Sequence, residues 1–325
     1  MPTLDALFGN QTELTAAIDK APFVPNIISR RGYFSEDGIS TLTAFIEFRG
    51  SVLSLVPSIP RGGVGQPATS TPRAGIEVPS VCLLKTATVY ADQVQDVRAF
   101  GQNGPESPEE VKARIIAQMR QDLEWTFEYH RAGALRGLIL DADGSTLFDV
   151  FSEFGITQST LSLALSDDAT DLVAKIVAAE RLCEDALGGY QPERFDVLAA
   201  PDVIDALRNH PDYSAKASTV PDLEDDGRRR GIRIANTMIY EYRSVTGGPA
   251  FIPAGEAYMI PRDVPDLLLT RFSPADYLDT VNTKGRSIYM KSELGYMGKF
   301  VSLEAQSNVI NIPTRPKAIV KLTKG

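Results

Sequence analysis

The sequence predicts an α+β fold, and three observations carry that expectation. One long amphipathic helix opens at Ser107-Pro108-Glu109-Glu110, two strand-like runs flank a segment rich in glycine and proline, and short strand-like stretches fill the chain beyond Ile232. Helices and strands therefore come in blocks rather than in the strand-helix-strand alternation of a doubly wound parallel sheet. At 325 residues the chain is long enough for one elaborate domain or two compact ones. Hydrophobic residues at 43% and charged residues at 23% suit a folded chain with a core and exclude a disordered or fibrous protein. With 33 basic against 42 acidic residues the net charge is −9, so bulk coating of DNA is disfavoured.

Residues 1–31, ending at Arg30 and Arg31, mix small polar and apolar residues with Pro22 and Pro25 and hold no sustained period. They predict an extended arm with at most a short helix at Leu14 to Asp19. From Ser40 to Pro57, Thr41, Thr43, Phe45 and Glu47 alternate with Leu42, Ala44, Ile46 and Phe48, the period-2 signal of a strand. A second strand-like stretch runs from Glu77 to Tyr90. The intervening Pro57 to Arg73 is full of breakers and forms neither helix nor central strand. The pair predicts a protruding hairpin whose long tip suits contact with another chain. Gly62, Gly63 and Gly65 leave that tip free to bend, and Arg61 offers a fixed charge to a neighbour's carboxylate. These four residues are candidate assembly contacts.

The helix beginning at Ser107 has Ser as its cap, Pro108 at the first helical position and Glu110 three residues after the cap. Val111, Ile115, Met119, Leu123 and Phe127 recur every four residues, and the stripe continues to about Leu135. At about 1.5 Å per residue such a helix is on the order of 40 Å long, the length of a strut. Gly137 to Phe151 reads as a hairpin with Asp143-Gly144 in its turn. The fragment Asp141-x-Asp143-Gly144 resembles the start of a calcium loop, but the further oxygen ligands and the closing Glu are missing, so a plain turn is expected. Helical periods return at Asp168 to Ala186, with Leu172, Ile176, Ala179 and Cys183 on one face, and at Ala200 to Arg208. In the tail, Arg315, Lys317, Lys321 and Lys324 interleave with Ile319, Val320 and Leu322, which predicts an edge strand with charged outward faces.

No nucleotide-binding loop, nucleophile elbow, zincin motif or kinase signature occurs. His130 and His210 are the only histidines and have no partner at metal-ligand spacing; His130, on the long helix, reads as structural. Cys82 and Cys183 read as two small buried thiols, in keeping with a reducing, intracellular setting. Met1 to Asp5 has no basic n-region, and no apolar run approaches the roughly 18 residues of a membrane span, so neither secretion nor insertion is expected. The expectation is a protein without catalytic residue, cofactor or metal. The run Leu223 to Gly231 sets acids directly against arginines around a glycine. It reads either as a solvated turn or as an intersubunit ion-pair site, in which Asp225, Asp226, Arg228, Arg229 and Arg230 are candidate contacts. Exposed pairs contribute only about 0 to 1 kcal/mol each, so such a cluster orients a contact more than it holds a fold.

Several stretches in the right order resemble the major capsid protein E family of lambda-type tailed phages. They are Arg61-Gly62-Gly63, Ile139 to Gly144 followed by Phe154-Gly155-Ile156, Phe251 to Ala257, Pro274 to Thr283, Glu304 to Asn308, and Arg315-Pro316. The resemblance implies the Hong Kong 97-type phage capsid fold, divided into an N-terminal arm (1–31), an extended loop hairpin with flanking strands (32–100), a peripheral domain with a spine helix (101–154), an axial domain (155–280) and a C-terminal return to the peripheral domain (281–325). It implies a shell protein that forms hexamers and pentamers and encloses double-stranded DNA without sequence-specific binding. Implied partners are a scaffold, a portal and a decoration protein, and the implied location is the virion head, with assembly in the host cytoplasm. An encapsulin-like cage, which shares the fold, and a hydrolase with an unrecognised site are the alternative readings.

Overall fold

The computed structural model describes residues 27–49, 73–94, 107–213, 224–225, 229–243 and 249–325. The short helix expected at Leu14 to Asp19 and the glycine-rich tip of the hairpin lie outside the described residues. In chain order the elements begin α1 (Ile27–Arg31), β1 (Ser35–Gly38), β2 (Thr43–Arg49), β3 (Arg73–Pro79), β4 (Val81–Tyr90) and α2 (Pro108–Leu135). There follow β5 (Leu138–Leu140), β6 (Thr146–Asp149), α3 (Val150–Glu153), β7 (Thr160–Ser162), α4 (Leu172–Ala186), β8 (Phe195–Ala199) and α5 (Pro201–Asn209). The rest is strand: β9 (Glu224–Asp225), β10 (Arg229–Arg230), β11 (Ile232–Ile234), β12 (Thr237–Glu241), β13 (Glu256–Pro261), β14 (Leu268–Ser273), β15 (Tyr289–Leu294), β16 (Phe300–Pro313) and β17 (Val320–Thr323). The described residues form two compact units. The first draws on the described residues within Met1–Ala44, Val78–Arg131 and Leu269–Asn311, the second on those within Phe45–Glu77, Ala132–Leu268 and Ile312–Gly325.

In the first unit the long helix forms where its capping sequence starts it. The Ser107 hydroxyl accepts from the Glu110 amide at 3.3 Å, and the Glu110 carboxylate accepts from the Ser107 amide at 2.8 Å. This reciprocal pair satisfies two amides that a helix start leaves open. Ile116, Met119, Leu123 and Phe127 then bury one stripe against Phe272, Met290, Leu303 and Val309 of a five-stranded sheet ordered β1-β14-β16-β15, with β4 also paired to β16. The sequence pattern chose Ile115, but Ile116 is the core residue and Ile115 is only partly buried. A strict four-residue spacing drifts off a 3.6-residue face by about 40° per step, which accounts for the substitution. From Phe127 to Leu135 the helix is buried on every side.

On β4, Cys82, Leu84, Thr88 and Tyr90 are exposed while Leu83, Ala87 and Val89 pack on the core. Cys82 is therefore not the buried thiol its apolar neighbours suggested; the alternation of a half-buried strand turns it outward. Cys183 is buried as expected, and burial pushes its thiol up to about 12.

The second unit is built on a six-stranded mixed sheet ordered β11-β12-β8-β13-β17-β7. Strand β8 is buried along its whole length between a parallel partner, β12, and an antiparallel one, β13. Helix α4 packs on this sheet and buries Leu172, Ile176, Ala179 and Cys183, the four residues its period marked out. Its N-cap is Asp171, whose carboxylate accepts from the amides of Val173 and Ala174. The basic tail corrects an expectation. It forms β17, an inner strand between β13 and β7 rather than an edge. Lys321 is tolerated there because its ammonium is paired with the Glu256 carboxylate, while Val320 and Leu322 are buried. The Asp143-Gly144 segment is the plain turn expected: Gly144 has φ +86°, and its amide donates to the Asp141 carbonyl at 2.9 Å.

Candidate functional site

The short helix α1 is held by a buried carboxylate. Glu128, fully buried on α2, accepts from the Ile28 amide at 2.7 Å, the Ser29 amide at 3.1 Å and the Ser29 hydroxyl at 2.6 Å. Arg131, one helical turn on, donates to the Ser29 hydroxyl oxygen at 2.6 Å and to the Glu36 carboxylate at 2.6 Å. A five-residue helix has too few internal bonds to persist alone, so α1 takes its shape from this clamp. In the sequence, Glu128 reads as one more residue of a polar face. Nothing nearby in sequence signals that a segment a hundred positions earlier covers it.

Two of the sequence motifs meet in space. Pro274 to Thr283 follows β14, and Glu304 to Asn308 lies in the middle of β16. The Asn308 side-chain amide donates to the Pro274 carbonyl at 2.5 Å, the Asp276 amide donates to Gln306 Oε1 at 3.3 Å, and the Tyr277 hydroxyl donates to Glu304 at 2.9 Å. Thr280 closes the turn, its hydroxyl bonding the carbonyls of Ala275 at 2.6 Å and Tyr277 at 2.9 Å. Lys291 bonds Asp279 at 2.7 Å and lies 4.0 Å from the centroid of the Tyr277 ring. The hydrogen bond from Lys291 holds the Asp279 carboxyl below its usual value. Burial, followed by the Glu304 contact, drives the Tyr277 phenol well above its ordinary range. At the far end Gly285 approaches so closely that a Cβ there would lie 2.0 Å from the Phe272 carbonyl oxygen. A segment this tightly fixed nevertheless presents Leu278 to solvent at 97% exposure.

The sequence-derived contacts divide between described and undescribed residues. Arg61, Gly62, Gly63, Gly65, Asp226 and Arg228 lie outside the described residues. The root of the hairpin that carries the first four is present as the paired strands β2 and β3. Asp225, Arg229 and Arg230 fall in a two-stranded antiparallel ladder that sets Arg229 opposite Asp225 and Arg230 opposite Glu224. Among the described residues no group of three or more His, Cys, Asp or Glu is placed to hold a metal ion, and no helix is long and apolar enough to cross a membrane. His210 staples a turn: it accepts from the Asp212 amide at Nδ1, 3.2 Å, which leaves Nε2 to donate to the Asp167 carbonyl at 3.1 Å.

Over residues 10–324 the sequence matches the family described as phage major capsid protein E. The major capsid protein of Pseudomonas phage KPP10 is 26% identical over 346 residues, an alignment that spans 99% of this chain and 98% of that protein. Among solved structures, a chain of the bacteriophage PhiM1 mature capsid has a TM-score of 0.53 at 14% identity, covering 94% of this chain and 89% of that one. A chain of the satellite phage P4 procapsid, a structure that includes the size determination protein, has a TM-score of 0.52 at 11% identity, with 97% of each chain covered. At such low identities the structural likeness speaks for the fold alone.

Proposed function

This chain belongs to the phage major capsid protein E family, and from that premise we propose that its copies associate into hexamers and pentamers which close as an icosahedral shell around packaged double-stranded DNA. The protein is the major capsid protein of a phage head, a structural component and not an enzyme. The observation that carries this is the family match over residues 10–324. The fold is of the Hong Kong 97 type, α+β, in agreement with the capsid chains it resembles. A cage of the encapsulin kind is not favoured, since the family and the named relative are those of phage heads.

The mechanism is repeated heterologous contact, in which two unlike surfaces of each copy meet around a ring, and rings that include pentamers close instead of growing without limit. Residues 1–31 serve as the arm, 32–100 as the extended loop, 101–154 as the peripheral domain with α2 as spine, 155–280 as the axial domain and 281–325 as the return. Support comes from the β2–β3 pair at the loop's root and from the 28 residues of α2. Strand β17 joins the sheet of β7 and β13, so the last residues of the return complete the axial sheet. Arg61, Gly62, Gly63 and Gly65 form the assembly contact at the loop tip. The β9–β10 pair, whose register opposes acid and arginine, orients a second contact rather than driving it. A scaffold, a portal and a decoration protein act with the shell, which forms in the host cytoplasm. At net charge −9 the wall confines DNA rather than binding it, and any affinity falls steeply with salt.

Mass photometry of the purified chain over a wide concentration range tests this reading. Species far above 35.4 kDa are expected, and a monomer at every concentration contradicts the proposal.

A further inference from the structure

We infer that the Leu278 turn of one copy seats on the exposed apolar tip of the β15–β16 hairpin of a second copy of this chain. The inference rests on the shell reading above and names a pair of surfaces for one of its contacts. The turn offers Leu278 and Val281, exposed at 97% and 59%, the first of them the most exposed large apolar side chain among the described residues. At the hairpin tip Tyr296 and Met297 are exposed at 79% and 76%, beside the ring pair of Tyr90 and Phe300, whose centroids are 5.7 Å apart. Met297 stands at φ +57°, a left-handed backbone that side chains other than glycine rarely adopt. Strain of that kind persists where the surroundings over-determine it, and it concentrates at contact and switch sites.

The two patches cannot satisfy each other within one chain. The turn is bolted to the middle of the β15–β16 ladder through Lys291 and Glu304, while the tip is the end of that same ladder. From Lys291 the ladder runs three residues further, to Leu294, about 10 Å of strand, and the turn that carries Tyr296 lies beyond it, so the ladder holds the two patches apart. Two unlike apolar patches on one rigid unit are what a heterologous, head-to-tail contact requires. Pre-ordering favours such a contact, because the turn's backbone loses little further freedom on binding. Of the charged groups beside the patches, Asp279 is compensated by Lys291, Asp276 is exposed next to the turn, and Glu293 and Lys299 are exposed near the tip. A polyanion would gain nothing from an apolar knob flanked by the carboxylates of Asp276 and Asp279, which separates this surface from any that faces DNA.

Cysteine pairing in the full chain tests the contact. In a Cys82→Ser background, Leu278→Cys and Tyr296→Cys chains are prepared separately, checked for native circular dichroism, mixed and oxidised in assembled material. The expected result is a covalent species of twice 35.4 kDa in the mixture and its loss when either chain is oxidised alone. A chain carrying both cysteines should give a ladder of higher multiples. A 278–278 dimer from the Leu278→Cys chain overturns the inference, because the knob would then meet itself across a two-fold axis. Assembled particles with no 278–296 bond overturn it too, while leaving the shell reading intact. Failure of the unsubstituted chain to associate at any concentration counts against the shell reading itself, and with it this contact.

Discussion

Glu128 on the long helix bonds the backbone amide of Ile28 at 2.7 Å across a hundred residues of sequence. The carboxylate is fully buried and also takes both Ser29 donors, while Arg131 completes the cluster from the next turn. The position of α1 is thus set by a charged clamp and not by apolar packing alone.

Replacing Glu128 by Ala leaves two backbone amides and a hydroxyl without their acceptor in a buried place. Each unsatisfied group costs about 1 to 3 kcal/mol, so with three of them a loss of at least about 3 kcal/mol in unfolding free energy is expected. Hydrogen exchange at Ile28 and Ser29 should rise to that of an open chain. Unchanged protection there would mean that the arm is held by something else.

Gly133 gives a prediction whose sign discriminates. Ala for Gly inside a helix ordinarily stabilises by about 1 kcal/mol. Here the added Cβ would lie 2.7 Å from the Leu138 carbonyl oxygen, a backbone atom that cannot rotate away. Gly133→Ala should therefore destabilise by about 1 to 3 kcal/mol in urea unfolding. A stabilised variant would show that the turn between α2 and β5 has room to spare.

Much of the fold was legible because local signals decide it. Ser107, Pro108 and Glu110 mark the helix start to the residue, and Leu172, Ile176, Ala179 and Cys183 mark the buried face of α4. What was not legible depends on distant partners. Lys321 reads as an edge-strand cation until Glu256 neutralises it inside the sheet, and Glu128 reads as surface until Ile28 covers it. Cys82 was misplaced by its apolar company, where alternation along β4 was the better guide. The motifs at Pro274 to Thr283 and Glu304 to Asn308 were visible separately, but only folding makes them one hydrogen-bonded unit. The tip at Arg61 to Gly65 was read from glycine content and lies outside the described residues.

The two thiols should separate in chemistry. Cys82 is exposed and Cys183 is buried with its thiol pushed up to about 12. One equivalent of thiol is expected to react with a disulfide reagent in the native protein and two after unfolding. Because the folded value of Cys183 is raised, its contribution to stability is complete below the unfolded value near 9 and is lost as pH climbs from there toward about 12. Tyr258 and Tyr277 are also raised, chiefly by burial, and act in the same direction from about pH 10 upward. Thermal melts between pH 8 and about 11 should show stability falling with pH; a flat profile would place Cys183 in contact with solvent.

Gly62 and Gly63 together test the proposed loop contact. Valine at both positions restricts the backbone and adds bulk to the segment proposed as the contact. Circular dichroism and melting of the double variant should stay close to those of the unsubstituted chain, while its particles should be absent or misshapen. Normal particles would remove the tip from the list of assembly contacts, and a chain that fails to fold would make it part of the core.

The central claim is that copies of this chain carry the surfaces that join them into a head shell. Negative-stain electron microscopy of the purified full-length protein tests it most directly. The account predicts capsomer rings or shell-like particles built from six-fold and five-fold clusters. A field of dispersed single chains at every concentration and salt condition, with the fold intact by circular dichroism, would contradict it.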